Sequence, residues 1–229
     1  RIGDTVVIQK AGDVIPEIVE VVKSKRTGEE KIFKMPRTCP VCGAQAVREE
    51  GEAVVRCIGI ECPAKLYRSI IHFASKEAMD IKGLGDAIIE ELIERKLISN
   101  ISDLYNLTLE DIATLKKNGK KFAQNLINSI EESKNRELHR VITSLGIRHV
   151  GVKLAKSLAK EYKSMDNLIE ASLEELESKQ DVGEITAESI YNFFKQEQSI
   201  DLINKLKQAG VNMTLKQELG TDNRFEGKV

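Results

Sequence analysis

The 229 residues carry 35 lysines and arginines against 36 aspartates and glutamates, a net charge of -1, so no overall basic field marks a nucleic-acid binder and any such binding must rest on local groups. Hydrophobic residues make up 41% and charged residues 31%, ordinary for a chain that buries a core, and no apolar run is long enough to span a membrane. Aromatic residues are only 4% and tryptophan is absent, which disfavours an aromatic-rich sandwich and favours aliphatic helices. The start, "RIGDTVVIQK", has neither an apolar signal core nor a methionine, and it reads as a piece of a cytoplasmic protein.

Residues 1–35 predict a β-hairpin. "DTVVIQK" and "VIPEIVEVV" are rich in valine and isoleucine, and "AGD" supplies the turn between them. An isolated hairpin is marginal in water, so its apolar residues need further strands to cover them.

Residues 36–66 hold all four cysteines, Cys39, Cys42, Cys57 and Cys62. The spacing is Cys-x2-Cys, fourteen residues, then Cys-x4-Cys, which closes two chelating turns and joins them by a short hairpin about Glu50 and Gly51. Pro40 stiffens the first turn, and Gly43 allows the positive φ that turns backbone N–H groups toward sulfur. Two disulfides would need an oxidising compartment, to which nothing in the sequence points, and four unligated thiols have no need of this spacing. The pattern points to Zn2+ held by four thiolates, with no coordination position left for water and hence a structural role. His72, His139 and His149 lie outside the cluster and read as ordinary helix-face or loop residues.

Residues 67–210 are helical in pattern and contain a repeat. "GDAIIEELI" from Gly85, "GKKFAQNLI" from Gly119, "GVKLAKSLA" from Gly151 and "GEITAESIY" from Gly183 align without gaps at intervals of 34, 32 and 32 residues. Apolar side chains three or four and seven positions after each glycine trace one helix face. A turn and another short helix precede each glycine, so the unit is helix, tight hairpin, helix. The four units suggest two pairs, each around its own core.

"IKGLGDAIIEEL" has the hydrophobic-x-Gly-hydrophobic-Gly hairpin of a helix-hairpin-helix module, with Gly83 and Gly85. In "IRHVGVKLAKSL" His149 takes the first glycine position. Copies two and four are poorer, with Lys117 and Asp181 there. A glycine opening a helix lets backbone N–H groups approach an anion at the favourable end of the helix dipole. A DNA phosphate fits that description, and such contacts follow backbone shape, not base sequence. Lys116, Lys117, Lys120 and Lys121 at the second hairpin, with Arg148 and Lys153 at the third, would add neutralising charge. A helical protein-interaction array of similar period is the alternative. Residues 211–229 are polar and aperiodic and read as a linker.

In this order the segments resemble the carboxy-terminal half of bacterial NAD-dependent DNA ligases. "RIGDTVVIQKAGDVIP" looks like the end of that family's OB domain, "CPVCGA" with the second cysteine pair like its zinc finger, "SLGIRHVG" like its third hairpin, and "RFEGKV" like the start of its BRCT domain. The resemblance implies a mainly α fold, with a tandem helix-hairpin-helix array preceded by a partial OB β-hairpin and a small zinc-binding module. It implies domains at 1–35, 36–66 and 67–210, then a linker at 211–229. The zinc module would join the OB domain to the array.

The resemblance also implies a double-stranded nicked DNA partner, a monomer, and a parent enzyme that uses NAD and Mg2+ bound elsewhere. The hairpin would press on the minor groove, with Lys10 against phosphate and Val14 and Ile15 against sugars; ordinary strand packing is the alternative for the last two. The family's adenylation lysine lies in Lys-x-Asp-Gly, a motif absent from this sequence, so the chain alone should be inactive. A non-enzymatic helix-hairpin-helix repair or junction-binding protein is a further alternative.

Overall fold

The computed structural model describes residues 1–12, 15–48, 53–59, 62–115 and 119–215. The chain divides into two compact units, Arg1–Ile60 and Glu61–Val229.

In the first unit β1 (Val6–Ala11) pairs antiparallel with β2 (Ile15–Val21), with Ile8 opposite Ile18 and Ala11 opposite Ile15. A bulge between Val7 and Ile8 shifts the register. Gly12 takes the left-handed conformation in the turn, at φ +62°. Below the hairpin, the Asp4 carboxylate accepts from Arg26 Nε at 2.6 Å and Nη2 at 2.8 Å. The Asp4 side chain is 2% exposed, and these bonds hold its carboxyl well below the usual carboxylate range. A second two-stranded sheet pairs β3 (Ala46–Arg48) with β4 (Val55–Cys57). Glu50 and Gly51, between them, lie outside the described residues.

Among the described residues of this unit Cys39 is the only buried member of the apolar set. Ile8, Ile15, Ile18 and Phe33 are all more than half exposed. The hairpin thus forms by its backbone ladder and leaves its apolar faces uncovered.

The second unit is helical: α1 (Pro63–Ala74), α2 (Asp86–Glu94), a 3-10 turn at Ile101–Asn106, α3 (Leu109–Ala113), α4 (Lys120–Ser133), α5 (Leu138–Ser144), α6 (Val152–Tyr162), α7 (Met165–Glu170), α8 (Leu173–Glu177), α9 (Glu184–Lys195) and α10 (Glu197–Gln208). The apolar positions that follow each repeat glycine are buried: Ile89 and Leu92, Ala123 and Leu126, Ala155 and Leu158, Ala187 and Ile190. Burying each leucine or isoleucine among them is worth about 1.5–3 kcal/mol, and each alanine methyl about 0.8 kcal/mol.

The expectation of two separate cores is not met, because the buried side chains form one continuous cluster from Ile70 to Met213. The reason lies at the joint. Helix α1 packs on α5, and His72 Nε2 donates to the Thr143 carbonyl at 2.7 Å. Arg136 reaches the Met79 carbonyl at 3.0 Å and the Asp80 carboxylate at 2.9 Å, while Arg140 donates to the carbonyls of Lys76 and Ala78 at 2.9 and 2.7 Å. These two arginines satisfy the carbonyls of the loop beyond α1, and in doing so lock the first hairpin to the second half of the unit.

The start of the segment expected to be a linker packs two residues into this core. Val211 and Met213 are buried, Met165 donates to the Met213 carbonyl at 2.9 Å, and Asn212 caps the α4–α5 junction through Lys134 and Arg136. Their two-residue alternation is that of an extended segment with one face inward.

Candidate nucleic-acid interface and metal centre

The cysteine cluster forms within one local segment. The Sγ atoms of Cys39, Cys42, Cys57 and Cys62 all lie within 4.8 Å of one another, with Cys42 and Cys57 at 3.5 Å. Cys39 N–H donates to the Ala44 carbonyl at 2.7 Å, and Gly43 N–H returns to the Cys39 carbonyl at 2.9 Å. That tight knuckle needs Gly43 at φ +72°. Cys57 ends β4, and Cys62 is the residue before Pro63 at the first position of α1.

The backbone N–H groups of Cys42, first, and Val41 point at the Cys39 sulfur and push that thiol down to about 6. A site built to favour thiolates suits a soft divalent ion, since metal ligation requires the deprotonated sulfur. Four sulfurs fit tetrahedral Zn2+ and leave no ligand position open, so the chemistry such an ion supplies is cross-linking. Sequence reasoning missed Gly59. Its N–H donates to Cys57 Sγ at 3.2 Å, and its Cα faces both Cys42 and Cys57. The available signal was its place two residues past a ligand.

The repeat glycines occupy a recurrent geometry. In the first, third and fourth hairpins the same turn precedes the helix: Leu84 donates to Ile81, Val150 to Ile147 and Val182 to Lys179. The residue before the donor is left-handed each time, Gly83 at φ +90°, His149 at +64° and Asp181 at +68°. Gly85, Gly151 and Gly183 then open α2, α6 and α9 with φ of -92°, -88° and -88°. Those are extended values that any residue adopts, and a Cβ at each of the three would meet nothing within 4 Å. Nothing inside the fold therefore requires glycine there.

No side chain caps these three helices, whereas Asn100, Thr108, Ser164 and Ser172 cap the 3-10 turn, α3, α7 and α8. Helices α1, α5 and α10 also start without such a bond. The first N–H groups of a helix have no partner within it, so α2, α6 and α9 present theirs at exposed glycines.

The second hairpin departs from this pattern. Gly119 is buried and helical at φ -73°, ψ -2°, although Lys120 and Lys121 beside it are exposed. Lys117 lies outside the described residues, as does Val14. The charge around each hairpin also differs. The first turn of α2 contains Asp86 and that of α9 Glu184, while those of α4 and α6 contain no acid. Arg148 is exposed beside the third hairpin, and Lys153 Nζ lies 3.7 Å from Asp181, an exposed ion pair between the third and fourth hairpins. In the other unit Lys10 and Ile15 are exposed near the hairpin turn. Among the described residues no helix is long and apolar enough to cross a membrane.

Four family models match along the chain: the NAD-dependent DNA ligase OB-fold domain at residues 1–30, the NAD-dependent DNA ligase C4 zinc finger domain at 38–64, a SAM-like helix-hairpin-helix tandem at 75–132 and a helix-hairpin-helix motif at 140–203. The chain is 53% identical over 228 residues to a DNA ligase of Thermoanaerobacter sp. strain X514, covering all of this chain and 34% of that protein. It is 54% identical over 227 residues to a DNA ligase of Carboxydothermus hydrogenoformans, covering 99% of this chain and 34% of that one. A DNA ligase of Clostridioides difficile is 49% identical over 229 residues, with 99% and 34% covered. The chain thus spans about a third of the length of these curated relatives. Through these matches it carries OB-fold, C4 zinc finger and tandem helix-hairpin-helix parts of the NAD-dependent DNA ligase family.

Proposed function

We propose that this chain is the DNA-gripping portion of an NAD-dependent DNA ligase, holding a nicked duplex by its phosphate backbone while the nick is sealed in replication and repair. The observation that carries this reading is the set of three helix starts at Gly85, Gly151 and Gly183, uncapped, exposed and with open space where a side chain would stand. Backbone N–H groups at such a start favour an anion, and a bare Cα lets a phosphate come close.

The third hairpin is the strongest grip. It combines this geometry with Arg148 and Lys153 and with a first turn free of acid. At the first hairpin Asp86 opposes a phosphate, and at the fourth Asp181 and Glu184 do so. Lys120 and Lys121 act at the second hairpin by charge, because buried Gly119 offers no close approach. Lys10, Val14, Ile15 and Lys117 extend the same footprint.

The parent enzyme would transfer AMP from NAD to an enzyme lysine with release of nicotinamide mononucleotide and pass that AMP to the 5' phosphate of a nick; the 3' hydroxyl would then attack this phosphate and displace AMP, with NAD and Mg2+ bound outside this chain. No Lys-x-Asp-Gly occurs in this sequence, so the chain alone forms no enzyme-adenylate. It acts as a monomer in the cytoplasm. The matched zinc finger and OB-fold domains weigh against a stand-alone junction binder and against a protein-interaction scaffold.

Binding of a nicked duplex measured against salt tests the proposal. Affinity should fall steeply, with a log–log slope of about -0.9 per neutralised phosphate, and should differ little among unrelated sequences. Lys120→Glu with Lys121→Glu should flatten the slope. Salt-independent binding, or strong preference for one sequence, would overturn it.

A further inference from the structure

Gly59 is not a metal ligand, yet its surroundings are the metal centre. Its N–H donates to Cys57 Sγ at 3.2 Å. A Cβ on Gly59 would lie 2.8 Å from Ala44 Cβ, 3.1 Å from Cys42 Sγ and 3.3 Å from Cys57 Sγ. Gly59 is not among the left-handed glycines, so its backbone conformation does not demand glycine; the space does.

The closest of those atoms, Ala44 Cβ, belongs to a side chain with no torsion to rotate away. It is anchored where the Ala44 carbonyl accepts from Cys39. Relief therefore requires one of the two cysteine loops to move. A tetrahedral ion with metal–sulfur bonds of about 2.3 Å needs its sulfurs about 3.8 Å apart, a separation that a loop displaced by an extra methyl no longer matches.

We propose that Gly59 is a positioning residue for the metal centre. Its missing side chain lets the loop that carries Cys57 close on the loop that carries Cys42, and its N–H orients the Cys57 sulfur. Partners of this kind outside the ligand set typically change metal affinity by about 10–100-fold. The inference rests on the reading of the four thiols as a metal site.

Cobalt titration of the full chain, followed by its thiolate charge-transfer and d–d absorption, and zinc competition against a chelator provide the test. Gly59→Ala should weaken zinc by about 10-fold or more and alter the cobalt spectrum. Gly59→Ala combined with Ala44→Gly, which removes the closest obstructing atom, should recover most of that loss. Helical ellipticity should be the same in every variant. Unchanged affinity in Gly59→Ala, no rescue by Ala44→Gly, or loss of helix together with metal would each overturn the assignment. A wild-type chain that takes up no cobalt would instead overturn the metal reading itself.

Discussion

The two compact units fold by different means. Residues 61–229 bury a continuous, mostly aliphatic core, from Phe73 and Ile89 through Leu126 and Leu138 to Leu158 and Leu206, so their helices are held by area removed from water. Residues 1–60 bury no apolar residue but Cys39 among the described residues, and what holds them is a strand ladder, the Asp4–Arg26 pair and the three thiols that they give to the cysteine cluster. The difference shows which substitutions each unit tolerates. A core answers to volume, whereas a unit without one answers to a few specific bonds.

Metal loss should produce the largest effect. Structural zinc supplies about 10–16 kcal/mol of apparent binding free energy in small modules, and a metal clip matters most where little apolar surface is buried. Chelation, or Cys57→Ser, should release zinc and raise amide exchange across residues 36–58 first, while amides in α4 and α6 stay protected. Elemental analysis that finds no zinc in wild type, or unchanged zinc in Cys57→Ser, would break the comparison at its base.

Next comes truncation of apolar side chains. Leu92 is fully buried, and Leu92→Ala should cost about 2–5 kcal/mol in urea unfolding followed by helical ellipticity. Ile18 is 65% exposed, and Ile18→Ala should cost less than about 1 kcal/mol, its share of a cross-strand pair with Ile8. Similar costs at both positions would mean that the hairpin has a core of its own.

Titration should separate the units more gently. His139, 15% exposed, is held below its ordinary value of 6.5 by burial, with Lys156 and Arg140 acting the same way and Glu137 acting against them. Its folded pKa is depressed, so its contribution is complete above about pH 6.5 and is lost as pH falls toward the folded value. Asp4 is also depressed, through Arg26, but from an ordinary 3.8. The stability it adds to the hairpin is intact above about pH 4 and goes only below that. Between pH 7 and 5 the helical unit should therefore soften while amides of Val6–Val21 do not change. His139→Gln should remove that softening; a pH profile that it leaves unaltered would assign the effect elsewhere.

Much of this was legible in the residues. Four cysteines at chelating intervals and glycines repeating every 32–34 residues each express a local constraint, and local constraints survive in a single sequence. What escaped depends on three-dimensional neighbours. Gly59 matters because Ala44 and Cys42 stand against it, which spacing does not reveal. Asp181 looked like a defect in the fourth hairpin, yet it takes the left-handed position that Gly83 holds in the first, since aspartate tolerates that conformation. Gly119 aligns with Gly151 in the repeat and is buried instead. The single core depends on Arg136 and Arg140, which satisfy the carbonyls of Lys76, Ala78, Met79 and Asp80 from more than fifty residues away, a pairing that no local pattern encodes.

The smallest expected effect on stability, and the most informative about function, is at the third hairpin. Gly151 opens α6 in an extended conformation with open space around its Cα, so Gly151→Ser introduces neither strain nor clash. Serine is the better helix cap by a few tenths of a kcal/mol, because its hydroxyl accepts from the exposed N–H groups of the first turn. Those are the groups assigned to a phosphate. Stability and DNA affinity should therefore move in opposite directions: the melting temperature holds or rises slightly, while nicked-duplex affinity falls roughly 10-fold, the loss of about one charge-assisted hydrogen bond. Gly183→Ser has the same capping geometry and should gain the same stability, yet it should lose less affinity, since Asp181 and Glu184 already repel a phosphate there. Calorimetry and a binding titration on both variants decide the matter. Equal losses of affinity at the two positions would place the fourth hairpin on DNA as firmly as the third, and normal binding by Gly151→Ser would take the third hairpin off the duplex.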